Sequence, residues 1–321
     1  MSDIQAVKDS IKSTKLSDEN AKKLAVIIDG LPDILGQLDN PEYDEIFGYR
    51  INVADKEYVD VSIRNEILLK FLAADGYDLD LAKERLINTF NWRNKFQPLS
   101  AAFDENFHVE LVELGVITHF NKDVKLPNLD IATWNLYGNL KNPKKIFEKF
   151  GGKLHKDLPG SEFLRWRIGL MERALQLLDF TNPDLNRIAQ VHDYKNVSIL
   201  RIDPGMRAAT KEIIKIFGDN YPELLSTKFF VNVPLLAGWV FTFLKALGII
   251  TEETLRKFQV LNHGDLSKSF GADNLPIEYG GKLKKDLFAL EVSNVKLSEY
   301  GQVILKRIGD EEIKHVNDDV E

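Results

Sequence analysis

The chain has 321 residues, 44% of them hydrophobic and 28% charged, which is enough for a sizeable core and too apolar for wholesale disorder. Lys and Arg number 42 against 49 Asp and Glu, a net charge of −7, which argues against a chain-wide nucleic-acid binder. Cysteine is absent, and that excludes disulfides, Cys-ligated zinc, iron–sulfur clusters, thiol catalysis and thioether-attached haem.

In chain order, the N-terminus Met1-Ser2-Asp3-Ile4-Gln5 is polar and has no apolar signal core. Ile67, Leu68, Phe71 and Leu72 repeat at helical spacing. Asp78 is placed to cap a second helix whose face carries Leu79, Ala82, Leu86, Ile87 and Phe90. That helix is expected to end near Phe96-Gln97-Pro98, because proline disfavours helix at the residue before it. Residues 1–100 therefore read as a helical region.

Beyond Ser100 the texture changes. Val116 to Phe120 and Ile131 to Leu136 are short β-rich runs, and Leu164, Ile168, Met171, Leu175 and Leu178 mark a long helix from Ser161. Strands are predicted at 191–194, 197–202 and 228–233, with a helix at 206–217 before the last. Strands alternating with helices predict an α/β domain over 101–308 with a mixed, largely parallel sheet. Phe229 to Leu244 holds 16 uncharged residues but includes Asn232 and Pro234, short of the ~20 apolar residues of a membrane span. Residues 309–321 carry six acids and read as a mobile acidic tail.

No phosphate loop, nucleophile elbow or H-E-x-x-H motif is present. Asp78 and Asp80 read as helix-capping acids and Gly280-Gly281 as a turn. His192 and Tyr194 stand two apart on a predicted strand, so both side chains share one face, with Val191, Asp193 and Lys195 on the other. Spacing alone leaves two readings of that pair: side chains that satisfy each other locally, or a ligand site.

Four stretches in order resemble one family. They are Leu68-Leu69-Lys70-Phe71-Leu72-Ala73-Ala74-Asp75-Gly76-Tyr77-Asp78, His192-Asp193-Tyr194-Lys195 with Val197-Ser198, Tyr221-Pro222-Glu223 through Asn232-Val233-Pro234, and Leu275-Pro276-Ile277-Glu278-Tyr279-Gly280-Gly281. Over residues 60–285 the chain resembles the CRAL-TRIO lipid-transfer family. The blocks Trp134-Asn135-Leu136-Tyr137-Gly138, Arg167-Ile168-Gly169-Leu170-Met171-Glu172 and Lys228-Phe229-Phe230-Val231 are similar to a fungal subgroup of it, the non-standard phosphatidylinositol transfer proteins that also bind haem b.

The resemblance implies an N-terminal helical bundle followed by a CRAL-TRIO α/β domain, whose apolar cavity is closed by a gate helix over Leu235, Leu236, Trp239, Val240, Phe243 and Leu244. It implies a carrier rather than an enzyme, acting in phosphoinositide homeostasis and in the oxidative stress response. The implied setting is the cytoplasm, with transient peripheral contact to endoplasmic reticulum or microsomal membranes. Implied haem contacts are Tyr137, Arg167, His192, Tyr194 and Lys228, with Tyr194 the axial iron ligand. A Tyr phenolate is a known haem ligand type. Arg167 is expected to lower the phenol pKa, and Arg167 and Lys228 can pair with propionates.

Glu223 and Lys257 match inositol-headgroup positions, while the family's headgroup arginine is replaced by Asp75, an acid that would repel phosphate. The hydroxyl pair that holds phosphatidylcholine elsewhere in the family falls on Ile188 and Gln190. Two alternatives to the haem-binding carrier are a lipid-only phosphatidylinositol carrier and a haem redox sensor or peroxidase. With no cysteine and only Met171 and Met206 as internal thioethers, an iron ligand is left to His, Tyr or a carboxylate.

Overall fold

The computed structural model describes residues 3–120, 124, 126–140, 142–152, 154, 155, 158–197, 204–233 and 256–318. The N-terminal region opens with α1 (Ile4–Ser10), α2 (Asp18–Asp29) and α3 (Leu31–Gly36). A short antiparallel hairpin follows, β1 (Glu45–Ile46) and β2 (Tyr49–Arg50), an element absent from the all-helical expectation. The long helices α4 (Val61–Ala74) and α5 (Leu79–Phe96) come next. Asp78 caps α5 as expected, accepting from the amides of Asp80 and Leu81. Gln97 stops α5 in a left-handed conformation, φ 53°, and Pro98 starts α6 (Pro98–Phe103) at once.

α7 (Val109–Val112) leads into a five-stranded sheet: β3 (Gly115–His119), β4 (Ile131–Leu136), β5 (Ile188–Asp193), β6 (Leu225–Val231) and β7 (Phe258–Val260). Their spatial order equals their chain order. The β3–β4 pair is antiparallel and the other pairs are parallel, the mixed and largely parallel sheet expected of the sequence. α8 (Pro143–Phe150) and α9 (Glu162–Leu175) connect β4 to β5, and α10 (Pro204–Asn220) connects β5 to β6. α11 (Ser267–Phe270) and α12 (Glu299–Asp318) complete the chain.

α12 continues well past Gly309, so a tail boundary at 309 falls inside a helix. Tyr300 and Ile304, both buried, hold the first turns of that helix against the core beside Leu297. Apart from Val197, which is not in a strand, the strand predicted at 197–202 lies outside the described residues, as does the gate helix predicted from Leu235. Among the described residues no helix is long and apolar enough to cross a membrane.

The sheet buries both faces. Val116, Ala132, Trp134, Val191, Phe229 and Val231 pack on one side with Phe270, Leu275 and Tyr279. Ile117, Ile131 and Ile188 point to the other, where they join α9 and the N-terminal helices in one continuous core. Arg93 of α5 ties the two regions together. Its guanidinium donates to Glu45 at 2.8 and 3.0 Å and to Glu172 of α9 at 2.6 and 3.1 Å. Tyr43 and Tyr221 hydroxyls fill further carboxylate lone pairs at 2.8 and 2.6 Å. The helical region and the α/β domain therefore share a core.

Candidate functional site

The face of the sheet that looks toward α9 and α10 carries a polar cluster. On β5 the alternation places Ile188, Gln190 and His192 on this face, and in register Gln190 opposes Lys228 and His192 opposes Phe230 of β6. Tyr194, the next residue of this parity, continues the row just beyond the strand. Its ring lies 6.3 Å from Phe230, and His192 lies 5.4 Å from the same ring. Val191 and Asp193 face the opposite way. Asp193 there accepts from Tyr279 at 2.7 Å and from Asn232 at 2.7 Å, so the family-like stretches are joined on the far side.

Tyr137 arrives from the turn that ends β4. Its ring is 5.6 Å from His192 and 5.3 Å from Tyr194. Gly138 makes this approach possible: a Cβ there would stand 2.2 Å from the Lys195 carbonyl oxygen. Arg167 comes from α9, its guanidinium 4.9 Å over the Phe217 ring of α10. The Lys228 ammonium is 5.7 Å from both Phe230 and Phe258. All five positions singled out for haem thus fall on one side of the sheet.

The electrostatics of this cluster are unusual because none of the five has a carboxylate partner among the described residues. Burial pushes the Arg167 guanidinium down to about 10. Burial, with Arg167 nearby, pushes the Lys228 amine down to about 7. Burial and those two cations hold His192 well below its usual range, so it is neutral. Two buried polar atoms here, Arg167 Nη1 and His192 Nε2, have no hydrogen-bond partner, a costly condition for a protein interior.

Burial and the neighbouring Tyr137 push the Tyr194 phenol far up, and Arg167 acts on Tyr137 rather than on Tyr194. This corrects the expectation that Arg167 activates the Tyr194 phenol. The cluster offers donors for an anion, a free imidazole nitrogen, and two phenols among aromatic rings. That donor set fits a flat apolar group bearing carboxylates and a metal that accepts O or N ligands.

A second cluster forms at the other end of the parallel strands. Glu223, held at φ 54° although it is not glycine, lies 3.4 Å from Lys257 Nζ and 3.7 Å from Arg187 Nη2. Lys70 of α4 reaches the same place and donates to the Glu223 carbonyl at 3.2 Å. It is buried, and burial with Arg187 nearby pushes its amine down to about 7. Arg187 Nε is buried without a partner. Three cations therefore gather at the Glu223 carboxylate, with Glu66 one turn back on α4 also acting on Lys70, leaving a net positive charge for an incoming anion when all three cations are protonated.

Sequence reasoning found Glu223 and Lys257 but not Lys70 or Arg187. The signal for Lys70 was a lone cation inside the apolar run Leu68-Leu69-Lys70-Phe71-Leu72. Nothing marked Arg187. Asp75 is not a repulsive acid in this site: it pairs with Arg85 at 2.7 and 2.8 Å, and Arg85 also donates to the carbonyls of Gly218 and Asp219. Ile188 and Gln190 are buried.

Among known proteins, residues 139–281 match the CRAL/TRIO domain. The chain is 69% identical over 323 residues to the phosphatidylinositol transfer protein SFH5 of Candida albicans, covering 100% of this chain and 99% of that protein. To the protein of the same name from Saccharomyces cerevisiae it is 40% identical over 275 residues, covering 83% and 88%. A crystal structure of Sfh5 superposes with a TM-score of 0.82 at 36% identity, covering 93% of this chain and 100% of that one.

Proposed function

Because the chain belongs to the CRAL-TRIO family, alongside the SFH5 phosphatidylinositol transfer proteins, we propose that it binds phosphatidylinositol and carries it between membranes. The observation that carries this reading is the cluster of Lys70, Arg187 and Lys257 around Glu223. A phosphodiester brings one negative charge to cations that have too few carboxylates, and Glu223 can accept from inositol hydroxyls. The work required is binding and release, with no bond to make or break. We place it in the cytoplasm, with exchange at endoplasmic reticulum or microsomal membranes, where it serves phosphoinositide homeostasis. Transfer of labelled phosphatidylinositol between vesicles tests this. Glu223→Ala with Lys257→Ala should abolish most of it, and Lys70→Met should reduce it; transfer unchanged in both variants would refute the assignment.

A second reading rests on the other cluster. The unpartnered Arg167 Nη1 and His192 Nε2, beside two cations with no carboxylate partner among the described residues, favour haem b as a ligand. Arg167 and Lys228 would hold the propionates, Tyr137 and His192 would pack against the macrocycle, and Tyr194 would ligate iron. Bound there, haem would supply a coloured, Lewis-acidic iron, and an anionic phenolate would favour the ferric state. Ligation requires Tyr194 to lose its proton, so affinity should rise with pH until other groups titrate. Added haemin should give a Soret band that Tyr194→Phe shifts or removes. Protein that stays colourless with haemin would leave the lipid-only carrier, and peroxide turnover well above that of free haemin would favour the redox sensor or peroxidase.

A further inference from the structure

The protein's charge is divided very unevenly. Residues 141–156 contain six lysines and one acid, Glu148, a net +5, and α10 adds a net +1. These 33 residues carry +6, against −13 on the other 288. A division of this kind orients a molecule in the field of a charged surface.

Lys141, Lys153 and Lys156 lie outside the described residues, and the other cations of these two segments, Lys144, Lys145 and Lys149 of α8 and Arg207, Lys211 and Lys215 of α10, gather on one face beside Glu110 of α7. α8 and α10 touch each other, and both rest on α9, almost every residue of which is buried. They therefore form an outer layer over one inner helix and present their remaining sides to the same solvent. On α8 the apolar side, Ile146, Phe147 and Phe150, is buried, while Lys144, Lys145 and Lys149 are exposed. On α10, Arg207, Lys211 and Lys215 recur every fourth residue along an exposed stripe. Lys144, Lys149 and Lys215 have acidic neighbours in Glu148, Glu110 and Asp219. Lys145, Arg207 and Lys211 have no carboxylate partner among the described residues.

Three exposed apolar side chains stand on α7 and just past α8 in the chain. Val109 and Val112 of α7 are 59% and 46% exposed and Leu154 is 69% exposed. α7 is held against α8 by the Lys149–Glu110 pair at 3.2 Å and the His108–Phe150 ring contact at 5.1 Å. Cations next to isolated aliphatic side chains suit the boundary of an anionic bilayer, where headgroups meet the one and acyl chains the other. The inner side of the same layer contributes Phe217, which covers Arg167, so a surface docked outside would lie next to the ligand cluster.

We infer that the α7, α8 and α10 face is the membrane-docking surface of this protein and that its partner is a bilayer rich in anionic phospholipid. The inference rests on the carrier reading but is measured separately from it. Full-length protein should sediment with vesicles of phosphatidylcholine mixed with about one third phosphatidylserine, and not with phosphatidylcholine alone. Binding should weaken as salt rises from ~0.1 to ~0.5 M.

Lys145→Glu with Arg207→Glu and Lys211→Glu should weaken vesicle binding by at least about a hundredfold, on the basis of about fivefold per surface cation. The matching Arg207→Lys, Lys145→Arg and Lys211→Arg protein should bind normally. Val112→Ser with Leu154→Ser should also weaken binding while keeping its salt dependence. Charge-reversed protein that binds vesicles like the parent overturns the inference, as does parent protein that binds neutral vesicles equally well. Loss of duplex DNA binding by the reversed variant, with vesicle binding intact, would assign the face to nucleic acid and overturn it too. Uptake of phosphatidylinositol from detergent micelles should be the same in parent and variant. Failure of that uptake in the parent would remove the carrier function without touching the sedimentation result.

Discussion

Arg93 and Arg167 are both buried in the same core, yet their surroundings are opposite. Arg93 meets two carboxylates, each already bonded by a tyrosine, and although burial opposes its charge those acids hold its pKa well above the usual value. Arg167 meets an aromatic ring and two tyrosines, has no acid partner among the described residues, and keeps one nitrogen without a partner there. A buried charge that is fully paired serves the fold. One left unpaired costs stability, and its retention points to a ligand. The contrast separates scaffold from site without reference to any relative.

The largest effect should come from breaking the paired side. Arg93→Leu leaves Glu45 and Glu172 buried without their cation and should cost about 3–5 kcal/mol, measured as a fall in the urea midpoint. Arg167→Leu removes a charge that has no carboxylate partner among the described residues, so the ligand-free protein should be as stable as the parent or more stable. The same variant should bind haemin more weakly. Equal destabilisation by both substitutions would erase the distinction between the two arginines.

The second effect is a pH dependence. Lys70 titrates at about 7 in the folded protein and at ~10.4 unfolded. Between those values the unfolded chain binds more protons, so stability rises with pH. Below pH 7 both states are protonated and the full penalty of the buried charge is present. Ligand-free protein should therefore gain about 1 kcal/mol per pH unit from Lys70 between pH 7 and 9, with Lys228 adding to it in the same direction. Denaturant midpoints across this range should show the rise, and Lys70→Met should remove the Lys70 share of it and leave that of Lys228. Saturating phosphatidylinositol should remove the same share, because a phosphate restores the lysine's preference for its charged form.

Much of this arrangement was legible in the sequence, for identifiable reasons. The strands carry the simplest code: residues two apart share a face, so spacing alone pairs His192 with Tyr194, and α5 announces itself through Asp78 and Pro98. The four family-like stretches then point to the correct architecture. What stays hidden depends on contacts between distant segments. Arg187 and Lys70 are 117 positions apart and meet only because β5 begins where α4 passes. The hairpin at Glu45 is two short strands, stabilised by Arg93 and not by any strand-like pattern. Asp75 reads as a defect in a headgroup site because its partner, Arg85, lies ten residues away on the next helix.

A third test concerns how Tyr137 reaches the unpaired cluster. Gly138→Ala would place a methyl 2.2 Å from the Lys195 carbonyl, which is backbone and yields only by moving the loop. Overpacking of this kind costs about 1–3 kcal/mol. The displaced turn should also pull the Tyr137 ring from Tyr194 and His192. Haemin affinity should then fall further than stability alone explains, while phosphatidylinositol transfer, read at the opposite cluster, should change little.

The smallest effect belongs to Asp75. Its bidentate pair with Arg85 is partly exposed, with side-chain accessibilities of 11% and 25%, so solvent weakens what the geometry offers. Asp75→Ala should cost about 1 kcal/mol or less, seen as a small shift of the thermal midpoint. Its value is diagnostic, because the same residue replaces the cation that the family places near the headgroup. If Asp75 faced the lipid phosphate, removing it would strengthen phosphatidylinositol binding. If it serves Arg85 and the end of α10, as the hydrogen bonds indicate, the variant should lose a little stability and bind phosphatidylinositol as the parent does. Restoring the cation with Asp75→Arg should then bring a like charge against Arg85 and destabilise the protein more than Asp75→Ala, without improving transfer.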